Sequence, residues 1–122
     1  MVPAALLFSD QATAGAAAYD KEAAATRVRY ADSATKCRNL SVRARANCLK
    51  LAKEGAHAAL NRTYGEAGAD AKAAYARSTA RCKAIPGPER RRCLRSARAE
   101  REMALGKAEE IRSAPLAMGS NR

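Results

Sequence analysis

The residues in this chain best suited to chemistry are four cysteines arranged as two pairs. Ten residues separate Cys37 from Cys48, and ten separate Cys82 from Cys93. A redox pair is usually C-x-x-C near a helix N-terminus. A zinc site has closely spaced ligands and usually histidines, but His57 is the only histidine here. The spacing favours structural disulfides, which are typical of oxidising compartments. Redox, metal and reduced-thiol roles stay open as alternatives.

The spacing also predicts which cysteines pair. On one straight helix, residues 11 apart lie about 16 Å apart along the axis, whereas a disulfide needs Cα atoms about 4.4–6.8 Å apart. Each C-x10-C segment contains turn signals near its middle, at Asn39-Leu40-Ser41 and at Ile85-Pro86-Gly87-Pro88. Two antiparallel helices joined at such a turn would bring their cysteines together. We therefore predict the bonds Cys37–Cys48 and Cys82–Cys93.

The chain resembles itself at an offset of 45 residues. Twelve of residues 19–60 are identical to the residue 45 positions later in the chain. They include Tyr19, Tyr30, Cys37 and Cys48. A period of this length is typical of a copied supersecondary unit. We divide the chain into an apolar and small-residue lead-in (1–18), repeat 1 (19–63), repeat 2 (64–113) and a flexible tail (114–122).

Composition predicts an all-α fold. Alanine, the best helix former, accounts for 32 of 122 residues, and β-branched residues are too few for a sheet. The chain has no Trp, one Phe and four Tyr, so the core buries little apolar area per residue. Tyr19, Tyr30 and Cys37 lie at helical spacing on one stripe, where we expect the tyrosines to be core residues.

The helix boundaries follow from caps and breakers. We expect a first helix from about residue 10 to 38 and a second that starts after the N-cap Ser41. Tyr64–Gly68 is the expected end of the second helix, and a third runs to about residue 84. The fourth begins at Pro88 and ends near Ser113. The predicted architecture is two disulfide-stapled antiparallel helical hairpins. A four-helix bundle is preferred, and the alternative is end-to-end hairpins sharing one helix of about 42 residues.

The charge predicts attraction to polyanions. The net charge is +11 and the isoelectric point about 10.1. Basic residues surround both turns, and guanidinium groups bind phosphates and carboxylates well. The candidate partners are anionic lipid headgroups, lipopolysaccharide or an acidic protein, with nucleic acid as the alternative. The candidate anion-binding residues are Lys36, Arg38, Arg43, Arg45, Arg81, Lys83, Arg90, Arg91 and Arg92; Arg98 and Arg101 extend the second group.

The first residues of the chain are relevant to the cellular location of the protein, because they partly resemble a secretory signal. Val2–Phe8 is an apolar run, and small residues follow it, as at the end of a secretory signal, but a basic start is missing. The run is either an incomplete signal peptide or the lead-in to the first helix. No stretch approaches the ~20 apolar residues that span a bilayer, so we do not expect an integral membrane protein.

The second repeat carries a pattern of the form Y-x6-C-x-A-[LI]-x-G-x5-C. It runs from Tyr75 to Cys93 through Ala84, Ile85 and Gly87, while the first repeat has Asn39, Leu40 and Val42 at these three positions. In this the chain resembles small, Ala- and Lys-rich bacterial cell-envelope proteins. The resemblance implies a periplasmic location and disulfides, and it implies no activity. Cytoplasm is the alternative location.

No motif predicts catalysis or a cofactor. The chain has no Gly-rich phosphate loop and no nucleophile elbow. The pairs Glu100/Glu102 and Glu109/Glu110 have spacings that do not face each other on a helix. We expect a non-enzymatic envelope module that binds an anionic surface or a protein partner. The alternative is a cytosolic nucleic-acid-binding protein driven by charge.

The disulfides can be tested by mass. Because each S–S bond lacks two hydrogens, reduction of the native protein should raise its intact mass by four hydrogens. Freshly isolated protein should resist alkylation until a reductant is added. Four alkylatable thiols in the untreated protein would contradict the pairing and the assignment to an oxidising compartment.

Overall fold

The chain folds into three α-helices. The computed structural model describes the backbone of residues 4–116 and the side chains of residue 15 and residues 17–116. The helices are α1 (Ala4–Arg38), α2 (Val42–Lys83) and α3 (Pro88–Ser113). This part of the chain contains no strand, and the all-α prediction is confirmed. None of its helices has a stretch both apolar and long enough to cross a bilayer.

The first helix starts earlier than expected. α1 begins at Ala4, so the predicted start near residue 10 is wrong, and the backbone of the apolar run is helical from that point. The apolar side chains of this run, proposed as a signal remnant, lie outside the described residues. So do residues 117–122 of the predicted tail.

Disulfides close both helical hairpins as predicted. Cys37–Cys48 and Cys82–Cys93 each join residues whose Cα atoms are 5.5 Å apart. Ser41 is the N-cap of α2, and its hydroxyl accepts a hydrogen bond from the backbone N–H of Ala44 at 3.4 Å. At the second turn, Gly87 adopts a φ of 65°, which favours glycine.

The expected helix break at Tyr64–Gly68 is absent. α2 is one helix of 42 residues, so the preference for a four-helix bundle is wrong and the end-to-end arrangement is found. Tyr64 and Ala67 pack against the core cluster that joins all three helices. This packing requires helical backbone across the segment, and it outweighs the cost of two glycines, roughly 1 kcal/mol each relative to alanine.

The buried face of each helix recurs every 11 residues. Eleven residues make three turns of 3.67 residues, close to the 3.6 of a straight helix. The face therefore drifts little, and small side chains can keep one stripe in contact over a long distance. Buried residues related by this spacing are Ala23 and Ala34, Thr26 and Cys37 in α1, Leu60, Ala71 and Cys82 in α2, and Ala97 and Ala108 in α3.

The three helices meet at the middle of α2. Ala23, Leu60 and Ile111 form a buried cluster there, one residue from each helix. A second cluster contains Tyr30, and Leu116 packs against both clusters. α1 and α3 each run antiparallel to α2 from one of its ends, and they overlap and contact each other at this cluster. The overlap covers apolar surface that two simple end-to-end hairpins would leave in water.

The continuity of α2 can be tested with glycine substitutions. A Cβ added at Gly65 or Gly68 meets no atom within 4 Å, and neither residue has a positive φ. Gly65→Ala/Gly68→Ala should therefore stabilise the protein by about 1–2 kcal/mol through the higher helix propensity of alanine. Urea unfolding followed by circular dichroism gives the free energy.

The matched control for this substitution is Gly87→Ala. Its Cβ also meets nothing within 4 Å, but its φ of +65° strains any L side chain. We expect a loss of about 1 kcal/mol. If the two variants shift stability in the same direction, residues 64–68 do not form an uninterrupted helix.

Candidate functional site

The basic residues are concentrated at the two ends of the molecule. We define tip 1 as residues 33–53 and tip 2 as residues 77–98, each containing one turn and its disulfide. Tip 1 has six basic and no acidic residues, and tip 2 has eight basic and one acidic residue. We define the waist as residues 19–32, 54–76 and 99–113. The waist has eight basic and ten acidic residues, so the whole positive excess belongs to the tips.

The structure separates the predicted anion-binding residues into two groups. Lys36, Arg38, Arg43 and Arg45 lie at tip 1, and the remaining five lie at tip 2. The 42 residues of α2, at about 1.5 Å per residue, hold the two turns roughly 60 Å apart. This distance exceeds the Debye length of about 8 Å at physiological salt several times over. The charges of the two tips therefore do not influence each other.

Two predicted anion-binding residues have a structural part in their tips. Arg90 donates from Nε to the carbonyl oxygen of Ile85 at 2.8 Å and from Nη2 to that of Lys83 at 3.1 Å. Arg45, at the corresponding position 45 residues earlier, donates from Nη2 to the carbonyl oxygen of Leu40 at 3.4 Å. Each guanidinium neutralises carbonyl groups at the end of the preceding helix or in its turn, where the macrodipole favours a cation.

Most of the other predicted residues project into solvent. Lys36, Arg38, Arg43, Lys83, Arg91 and Arg92 are exposed, and within the described part of the chain they form no hydrogen bond or ion pair. Arg81 is also exposed but donates to the Ser78 hydroxyl at 3.1 Å. The first six of these cations are therefore available for an external anion without loss of a contact within the described residues.

The cations surround the end of each hairpin and do not form a stripe along one side. Consecutive helix residues are rotated by about 100°, so Arg91 and Arg92 point to different flanks of α3. Lys36 and Arg38 are two residues apart and lie on nearly opposite sides of α1. An anionic surface that faces the end of a tip can contact several of these groups, while a surface along the side meets fewer.

The sequence prediction missed further members of both tips. These are Lys50 and Lys53 at tip 1 and Arg77 and Arg95 at tip 2, and all four are exposed. These residues could have been found from the sequence, because the segments with almost no acidic residue extend well beyond the residues next to each turn. Lys50 and Lys53 line a shallow groove on α2 with Ala46, Leu49, Glu54 and His57.

Arg101 does not extend tip 2, although the sequence predicted it. Its guanidinium carbon lies 4.2 Å from the centre of the Tyr75 ring, and it pairs with Glu102 at 3.3 Å. Arg112 stacks in the same way on Tyr64, at 4.5 Å. These cation–π contacts belong to the waist. Arg98, in contrast, is exposed and lies within tip 2.

Other polar contacts of the waist join its helices. Arg27 of α1 donates from Nη2 to the carbonyl oxygen of Ile111 at 2.9 Å and from Nε to that of Pro115 at 3.3 Å. The Tyr19 hydroxyl donates to the Asp70 carboxylate, which raises the pKa of Tyr19 to about 12. A raised phenol pKa means that this contact is present at neutral pH and is lost as the pH rises through 12.

Metal binding has no support in the described residues, which contain no group of three or more His, Cys, Asp or Glu side chains placed to hold an ion. All four cysteines are in disulfides. Comparison with known proteins gives no match: no protein-family model, no curated protein and no solved structure is significantly similar to this chain.

The two kinds of tip arginine can be separated by stability. Arg90→Gln removes hydrogen bonds to two carbonyl groups and should destabilise the protein by about 0.5–1.5 kcal/mol. Arg91→Gln removes a cation from the first turn of α3, where the macrodipole disfavours it, and should be neutral or stabilising by a few tenths of a kcal/mol. Urea unfolding of both variants checks the difference, and equal losses would contradict the structural part assigned to Arg90.

Proposed function

We propose that this protein is a non-enzymatic helical module of the bacterial envelope whose tips bind anionic membrane surfaces. The observation that carries the proposal is the distribution of charge. The tips together have fourteen basic residues and one acidic residue, while the waist has more acidic than basic residues. Charge needed only for solubility has no reason to be confined to two ends.

The chemistry of the exposed groups fits phosphate. Arginine presents a planar fork of N–H donors that matches phosphate oxygens. Four of the six exposed candidates that have no contact within the described residues are arginines: Arg38, Arg43, Arg91 and Arg92. A basic residue close to an anionic bilayer contributes about 1 kcal/mol to binding. Several such residues at one tip are enough for reversible docking on phosphate groups of phospholipid or lipopolysaccharide.

The disulfides support a location outside the reducing cytosol. Structural disulfides persist in the periplasm and other oxidising compartments and are rare in the cytosol. The resemblance to small alanine-rich envelope proteins indicates the same location. In that compartment the extended polyanions within reach are membrane surfaces and their glycans, so a membrane is the favoured partner over an acidic protein.

The second candidate function is nucleic-acid binding. The net charge of +11 favours it. However, the tips contain no aromatic residue on which a single-stranded base could stack. A duplex presents continuous charge along its length, and the net negative waist would lie against it between the tips. Both features favour a membrane surface over nucleic acid.

The experiment is flotation with vesicles, using the oxidised full-length chain. Vesicles that contain phosphatidylglycerol should carry the protein, purely zwitterionic vesicles should not, and raised salt should release it. The tip variant is Arg38→Gln/Arg43→Gln/Arg91→Gln/Arg92→Gln. It removes two cations from each tip and should weaken binding about 30-fold, from about 1 kcal/mol for each cation at the bound surface.

The matched control removes four exposed cations from the waist, and none of the four forms a hydrogen bond or ion pair within the described residues. Its affinity should stay within about threefold of the wild-type value. Equal losses in the two variants would mean that net charge alone governs binding. If duplex DNA displaces the protein from vesicles at low concentration, the nucleic-acid function replaces the proposed one. The control is Lys21→Gln/Arg62→Gln/Lys72→Gln/Lys107→Gln.

A further inference from the structure

We infer that this protein is a bivalent spacer that holds two anionic membrane surfaces about 60 Å apart, with one surface at each tip. The inference rests on the proposed function and adds geometry to it. A protein that only needed to attach to one membrane would require a single cationic region. This chain has two, and the structure places them at opposite ends of its longest helix.

The spacing is fixed because one continuous helix connects the tips. α2 contributes 42 residues to both hairpins, which corresponds to about 60 Å. α1 and α3 overlap on its middle, where the cluster of Ala23, Leu60 and Ile111 is buried. The carbonyl groups at the end of α3 are held by Arg27. The waist is therefore braced at the point where a two-hairpin molecule would otherwise bend.

The orientation of the cations favours contact through the ends. At tip 2, Arg91 and Arg92 lie on different flanks of α3, and at tip 1 Lys36 and Arg38 lie on opposite sides of α1. A molecule lying flat on one membrane would direct part of each set away from the phosphates and bring the acidic waist close to them. A molecule standing on its tip directs the whole end of the hairpin toward the surface.

The electrostatic potential at one tip is independent of whether the other tip is occupied. At physiological salt the Debye length is about 8 Å, so occupation of one tip does not change the potential at the other. The far tip of a docked molecule stays as attractive to a second surface as it was before docking. Binding of two surfaces by one chain therefore follows from the separation of the tips and needs no conformational change.

The test compares vesicle binding with vesicle clustering. The wild-type chain should bind phosphatidylglycerol vesicles and cluster them, as measured by turbidity and by energy transfer between two labelled vesicle populations. Excess protein should reverse the clustering, because each surface is then saturated by separate molecules. Cryo-electron micrographs should show facing bilayers about 60 Å apart.

Variants with substitutions at one tip only distinguish vesicle binding from vesicle clustering. Arg38→Gln/Arg43→Gln at tip 1 and Arg91→Gln/Arg92→Gln at tip 2 should each lower binding only about twofold, because the intact tip still docks. Each variant should lose most of the clustering. The waist control Arg62→Gln/Lys107→Gln removes the same charge and should cluster vesicles as the wild-type chain does.

The outcomes distinguish this inference from the proposed function. Wild-type protein that binds vesicles but clusters them at no protein-to-lipid ratio overturns the spacer and leaves membrane binding intact. Clustering that survives in both single-tip variants also overturns it, because self-association of the chain would then join the vesicles. A bilayer gap near the width of one hairpin overturns the end-on orientation. Absence of binding to anionic vesicles overturns the proposed function itself.

Discussion

The rest of the structure depends on the covalent closure of its two turns. Six of the eleven buried hydrophobic residues in the described part of the chain are alanines, and the largest side chains that are almost completely buried there are Leu60, Cys37 and Cys82. Such a core contributes little hydrophobic stabilisation per residue. Each disulfide closes a loop of about a dozen residues and removes roughly 3 kcal/mol of entropy from the unfolded chain. For a protein with a thin core, the two bonds together are comparable with the whole stability of an ordinary small domain.

The same bonds make the charge of the tips tolerable. Two like charges 8 Å apart in water repel each other by about 0.5 kcal/mol, and tips with six and eight basic residues contain many such pairs. Repulsion of this kind opposes closure of a turn. A covalent bond within each tip offsets it, and Arg45 and Arg90 reduce it further by donating to carbonyl groups of the turns. The disulfides and the cations are therefore parts of one arrangement, in which the most charged regions of the chain are also the most constrained.

The sequence predicted the ends of the molecule better than its middle. Ser41, Pro88 and the cysteine spacing act locally, so the two turns, both disulfides and the bounds of α3 could be predicted. Whether Tyr64–Gly68 is helical or forms a turn depends on contacts with residues of α1 and α3 that lie far away in the sequence. Local signals there permit either a turn or a helix. The early start of α1 was missed because an apolar run before Ser9 is equally typical of a secretory segment and of a helix.

The candidate site was predictable in composition and not in geometry. A list of basic residues near the turns contained both Arg90, which donates to carbonyl groups, and Arg91, which forms no hydrogen bond or ion pair within the described residues. Neighbouring arginines differ in this way because a rotation of about 100° per residue directs one toward α2 and the next toward solvent. Which of the two arginines points toward α2 is determined by the three-dimensional path of the backbone and cannot be read from the list of residues.

The basic residues fall into two classes that follow their position along α2. In the waist, Arg27, Arg101 and Arg112 contact carbonyl groups, tyrosine rings and carboxylates. These arginines join helices whose apolar contacts are small, and their charges are compensated by an excess of acidic residues. At the tips, acidic residues are almost absent and most cations have no internal partner. The continuous α2 fixes the distance between the two tips, where the positive charge is uncompensated. The helices packed on the middle of α2 prevent the tips from approaching each other.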